Sequence, residues 1–428
     1  MKSLLETPSC FTSFVRFKEN KELFSQPHEI KADPPMKVPD GIKRLADAFK
    51  NSKEVPIGKE IDPKAGGEKD VKLKSKKLYI VGGAVRDYLL GRTPKNYNLA
   101  TDAHPEEVLH IIKNAKPAIH VLKQDPKKGV TKISVDGEDY EIHTLKKKSE
   151  NPEEEFTFTT NCAEDSENRD LTINAMYYDI AGNKIIDHCG GIRHLQNGDI
   201  KFVGKASDKL KENGMVKYRA MRFMNTIPNG KFDNETAEAF KKAASEDEDM
   251  DTTPDKIRDE FLNALENAHS NVAKVIKSYE SHGLLEKVFP KLKLDTNLPE
   301  GVGKNRAIIL ACLLKNNQPS KLVPKLKELR YTDREIKDAV YLINLLWFAP
   351  DYVYEFKKEL LNTGLTKRQI IDWAKLNKLD REMVEKLVDY NLKVNGTDLA
   401  EKEGLQGDDL KNRVKELEAH EFKRTLRS

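Results

Sequence analysis

Leu78-Tyr-Ile-Val-Gly-Gly-Ala-Val-Arg-Asp87 runs four large apolar residues into paired glycines and then into a new apolar period ending at Leu90. Such a run closed by glycine predicts a buried strand and a tight turn, and Val85 to Leu90 predicts a helix. At Gly82 and Gly83 the absence of a side chain lets backbone N–H groups come close to a phosphate at a helix start. A glycine pair by itself is usually an ordinary structural turn, so its neighbours decide its meaning. Asn96 to Ala100 predicts a second strand. Pro105 to Ala115 predicts an amphipathic helix with Val108, Ile111, Ile112 and Ala115 on one side. Thr131 to Val135 and Tyr140 to Leu145, split by Asp136-Gly137, predict a hairpin.

Further out the pattern changes. Beyond about Lys205 strand signals stop, and helical periods take over at Ala307 to Leu314, Arg334 to Leu346 and Asp380 to Leu392. A mixed unit followed by a helical one predicts separate structural jobs, with chemistry in or beside the first. Upstream, residues 1–77 hold Pro pairs, Lys runs and one short helical period at Gly41 to Phe49, which reads as a largely irregular leader. That leader carries 17 Lys+Arg against 12 Asp+Glu, leaving 57 against 58 for the rest, so the excess behind the net charge of +4 sits there. A basic leader is compatible with a polyanion, and equally with a solvated tail. Phe11, Phe14, Val15, Phe17, Leu23 and Phe24 gather apolar surface near the start, which either packs on the chain itself or wraps another protein chain.

At 428 residues, with 38% hydrophobic and 34% charged residues, the chain exceeds what one core organises and is too apolar for wholesale disorder. No stretch approaches the roughly 20 apolar residues of a membrane helix. Cys10, Cys162, Cys189 and Cys312 are scattered without metal-ligand spacing, which fits a reducing compartment. The expected location is cytoplasmic, or inside a large macromolecular assembly.

Three further motifs follow the glycine turn in order: Leu90-Gly-Arg-Thr-Pro-Lys-Asn-Tyr-Asn-Leu-Ala-Thr101, Glu164-Asp-Ser-Glu-Asn-Arg-Asp-Leu-Thr-Ile-Asn-Ala-Met176 and Asp187-His-Cys-Gly-Gly191. Together they resemble the head of the bacterial-type tRNA nucleotidyltransferase and poly(A) polymerase family, a branch of the polymerase-beta-like nucleotidyltransferases. The resemblance spans Leu78 to about Phe223. It extends to Thr253-Pro-Asp-Lys-Ile-Arg-Asp-Glu260 and, near the end, to Val394-Asn-Gly-Thr-Asp-Leu-Ala400 and Gly404-Leu-Gln-Gly407. It implies an α/β nucleotidyltransferase head over 78–205, a helical neck over 206–300 and an all-α body and tail over 301–428. It also implies nucleotide-binding roles for Gly82, Gly83, Arg86, Asp87, Arg169, Asp170, Asn174, Asn213, Arg219 and Arg222.

The same resemblance exposes departures. Transfer of a nucleotidyl group to a 3′ hydroxyl uses two divalent ions held by carboxylates, and two acids at i and i+2 on a strand face the same way. The family has aspartates where this chain has Asn96 and Asn98, which leaves Glu141 as the third, single acid of the site. Asn168 stands before Arg169 where the family has a second arginine. His194 stands where an aspartate is usual and is assigned no role. The family's base-selecting Glu-Asp-x-x-Arg becomes Glu212-Asn213-Gly-Met-Val216. The expected protein is therefore a catalytically inactive relative with no metal or cofactor, which binds RNA or nucleotide or serves as a component of a larger assembly. The alternative is an active Mg²⁺-dependent RNA 3′-end nucleotidyltransferase captured as an Asp-to-Asn variant at Asn96 and Asn98.

Overall fold

Val81 is the last residue of a fully buried strand, Leu78–Val81, and Gly82 turns the chain out of it into the helix Gly83–Leu89. This computed structural model describes residues 28–54, 56–61, 68–72, 75–151, 153–245, 252–269 and 271–427. The aromatic cluster from Phe11 to Phe24 lies outside them. The Leu78–Val81 strand sits inside an eight-stranded sheet ordered His28–Lys31, Lys184–Asp187, Met176–Asp179, Leu78–Val81, Asn98–Thr101, Glu138–Thr144, Val130–Val135 and His120–Asp125. Neighbours run antiparallel except Asn98–Thr101 and Glu138–Thr144, which are parallel. Asp136 and Gly137 both take positive φ (55° and 85°), the geometry of the tight hairpin turn expected there. The helix Pro105–Asn114 buries Val108, Ile111 and Ile112.

The irregular leader expected through residue 77 is corrected from His28 onward. His28–Lys31 pairs with Lys184–Asp187 as the sheet's edge strand, while the helical period expected at Gly41 to Phe49 is a helix, Asp40–Lys50, whose Ile42, Leu45 and Phe49 are fully buried. The sheet needs this edge: Ile30 pairs with Ile185, and Glu29 and Lys184 form a close ion pair.

The described chain forms two compact units. The first runs to Glu212 and takes in Asn229–Ala239; the second holds Asn213–Pro228 and everything from Phe240. The 229–239 excursion belongs to the first because Lys231–Phe232 pairs in parallel with Asp199–Ile200, and Lys201 bonds Asp233 at 2.8 Å. Strand structure thus reaches past Lys205, where none was expected. In the second unit Phe261 meets Tyr279 and Phe289 edge-on, and every residue from Ala307 to Leu314 is buried. Its last helix, Gly407–Arg427, carries a fully buried Glu418 that accepts from the N–H groups of Lys393 and Val394 (2.6 Å each) and from the Tyr390 hydroxyl (2.7 Å). Among the described residues no helix is long and apolar enough to cross a membrane.

Candidate functional site

The glycine turn and the Thr172–Asn174 segment meet at one corner of the first unit. Gly82 has φ +71°, and a Cβ there would stand 3.6 Å from the Asn174 carbonyl oxygen and 4.0 Å from Arg169 Nη1. Its own N–H donates to the Met176 carbonyl at 3.2 Å. Arg86 donates from Nη1 to Asn174 Oδ1 (2.6 Å) and from Nε and Nη2 to Asp87 Oδ1 (3.1 and 2.9 Å). Asp87 and Asn174 therefore fix the guanidinium from two sides. Asp170 turns back to accept from the Leu171 N–H at 2.7 Å.

Arg169 is held more tightly than the sequence shows. Asp165 Oδ2 accepts from its Nη2 at 2.9 Å and from the Tyr177 hydroxyl at 2.5 Å, and the guanidinium carbon lies 5.0 Å from the Tyr177 ring centre. Burial works against the charge of Arg169, yet Tyr177 and Asp165 outweigh it and hold the group protonated. Asp165 lies one helical turn before Arg169, a spacing visible in the sequence. Tyr177, on a strand, had no such signal.

The three positions expected to correspond to metal ligands lie at and beside the adjoining strand ends. Asn98 opens its strand between Val81 and Glu141, paired in register with both. In-register residues of a parallel pair face the same side, so Asn98 and Glu141 share one surface, and both are exposed. Asn96 is exposed in the preceding loop rather than on the strand as expected; the strand opens at Asn98, opposite Val81, the last residue before the chain turns at Gly82. Two residues past Glu141 on the same face, His143 places Nε2 3.7 Å from Glu141 Oε2. Burial, with Lys146 and Arg169 nearby, depresses the His143 pKa despite that carboxylate. Two amides and one carboxylate do not fit a pair of divalent ions, which need hard anionic oxygens. Among the described residues no group of three or more His, Cys, Asp or Glu could hold a metal.

The Asp187-His-Cys-Gly-Gly191 motif does local structural work. Asp187 accepts from the N–H groups of Cys189, Gly191 and Ile192 at 2.9–3.1 Å, capping the helix Gly191–Asn197. His194 on that helix is buried, its Nδ1 3.0 Å from Thr172 Oγ1.

In the second unit, Asn213, Met215, Arg219, Lys256, Asp259, Glu260 and Asn263 line an open cleft of about 330 Å³. Asn213 Oδ1 accepts from the Met215 N–H at 2.9 Å, which ties its amide to the start of the helix Met215–Thr226. Glu260 forms a close ion pair with Arg222 and lies 3.7 Å from Arg219 Nε. Val216 is buried at 5% exposure, packed as core, so it offers nothing to a base.

A glycine turn from strand to helix beside a pair of parallel strands is the arrangement expected of a nucleotidyltransferase head. Residues 78–201 match the poly(A) polymerase head domain, and over that head the chain is similar to CCA-adding enzymes and poly(A) polymerases. It is 34% identical over 227 residues to the CCA-adding enzyme of Lactobacillus johnsonii, covering 52% of this chain and 51% of that one. The chain thus spans about half the length of the curated relatives it matches. Its fold resembles the Bacillus stearothermophilus CCA-adding enzyme in complex with CTP (TM-score 0.59, 20% identity, 89% of this chain and 92% of that one). It also resembles the Thermotoga maritima CCA-adding enzyme complexed with tRNA (TM-score 0.62, 19% identity, 90% and 92%).

Proposed function

We propose that this protein has lost nucleotidyl transfer and retains binding of RNA or nucleotide through its head. The observation that carries the reading is the Asn98–Glu141 register pair, with Asn96 beside it: one carboxylate where the chemistry needs three. Each missing charge removes an attraction for a cation of about 4 kcal/mol per unit charge at contact distance near a protein surface. The cleft at Asn213 and Arg219 departs in the same direction, because the Asn213 amide oxygen is taken up by the Met215 N–H and Val216 is core. Erosion at two separate places favours natural loss of catalysis over a change confined to metal ligands. Support for an RNA or nucleotide ligand comes from the relatives solved with CTP and with tRNA. If the active reading holds instead, Mg²⁺ is the cofactor and Asn96 and Asn98 stand in for its aspartate ligands.

The test is addition of CMP or AMP to an RNA 3′ end by purified protein with Mg²⁺ or Mn²⁺. No addition is expected, and none from the N96D/N98D double variant, since Asn213 and Val216 remain. Robust addition by the unaltered protein overturns the reading. Robust addition by the double variant alone favours the active enzyme captured as an inactive variant.

A further inference from the structure

We propose that phosphate binding by this head is independent of divalent metal. The inference rests on the reading that the head binds RNA or nucleotide. A site built with three carboxylates repels phosphate until cations neutralise it, so ligand and metal bind as one event. Here two of the three positions are neutral amides, exposed and able to donate N–H groups to phosphate oxygens. The remaining acid, Glu141, is half exposed to solvent and has His143 for a neighbour. Around the corner, Arg86 is held by Asp87 and Asn174, and Arg169 by Asp165 and Tyr177, so two guanidinium groups stand in fixed positions near Gly82. Each guanidinium has a carboxylate of its own, Asp87 for Arg86 and Asp165 for Arg169, so with two amides at the ligand positions Glu141 is the one acid there in place of three. The balance of charge that would call for a metal ion is removed, and the donors that meet phosphate directly are retained.

The chemistry recognised is a phosphate oxyanion, from either a free nucleoside triphosphate or an RNA backbone. The experiment measures binding of CTP, of ATP and of a single-stranded RNA oligonucleotide to the full chain by calorimetry, at constant ionic strength, in excess EDTA and in Mg²⁺. Affinity is expected to be the same in both buffers, and the arm that binds identifies the source of the phosphate. For N96D/N98D the affinity in EDTA should fall by about tenfold or more, as expected when two like charges are placed near the phosphate, and recover with Mg²⁺. Binding by the unaltered protein only when Mg²⁺ is present overturns the inference and leaves the binding reading intact. Absence of binding in every arm overturns that reading and the inference with it. Manganese titration of the unaltered protein, followed by electron paramagnetic resonance without nucleotide, decides the matter should the double variant fail to fold. The free-ion spectrum should persist, and a protein-bound manganese signal at the head, lost on Glu141→Gln, sinks the proposal.

Discussion

Glu418 is a fully buried carboxylate whose two oxygens serve three donors, from Lys393, Val394 and Tyr390. Removing it leaves two backbone N–H groups and a hydroxyl buried without partners, each costing about 1–3 kcal/mol. Glu418→Ala should therefore lower stability by about 3 kcal/mol or more in urea denaturation, while Glu418→Gln, which keeps one acceptor oxygen, should lose roughly half as much. A loss below about 1 kcal/mol for the alanine would show that the 390–394 segment finds other acceptors. Nothing around Glu418 in the sequence sets it apart from the exposed acids of the same helix, because its role depends on a loop some 25 positions earlier. Arg169 shows the same limit. Its motif was legible, but the grip of Asp165 and Tyr177 is a tertiary fact. By contrast, the loss of charge at Asn96 and Asn98 could be read directly, since it is a change of residue type at a position fixed by motif order.

At the scale of elements, the strand Leu78–Val81, the hairpin turning at Asp136-Gly137 and the helix Pro105–Asn114 were legible because each buries a periodic face or demands a residue that tolerates positive φ. His28–Lys31 was not. It is a four-residue edge strand with one large apolar side chain, in a stretch rich in Lys and Pro, and only its partner Lys184–Asp187 makes it a strand. The second glycine of Gly190-Gly191 turns out to be a packing requirement. A Cβ at Gly191 would lie 2.2 Å from the Thr172 carbonyl oxygen, a backbone atom with no freedom to retreat. Gly191→Ala should cost about 3 kcal/mol through overpacking and shift the Thr172–Asn174 segment, including the Asn174 that holds Arg86. Thermal melting measures the cost, and a variant as stable as the parent contradicts it.

For the molecule as a whole, His143, His188 and His194 all lie in the first unit, and burial depresses the pKa of each below the ordinary value of 6.5. Below that value the unfolded chain binds more protons than the folded one, so stability rises with pH across this window and is lost as pH falls through the folded pKa values. The urea midpoint of the first unit should accordingly drop as pH is taken from about 7.5 to about 5.5, above the range where carboxylates dominate. A midpoint that holds or rises is the contrary result. The sheet of this same unit also has a history in time. Glu29 of the edge strand pairs with Lys184, 155 positions later in the chain. At a synthesis rate of about 5–20 residues per second, the His28–Lys31 strand waits roughly 8–30 seconds for the strand it will lie beside. During that interval Ile30 and the apolar face of the helix Asp40–Lys50 have no completed sheet to cover them. The newborn chain therefore passes through a stage in which the His28–Lys31 strand and the Asp40–Lys50 helix are open to capture by chaperones or by other nascent chains.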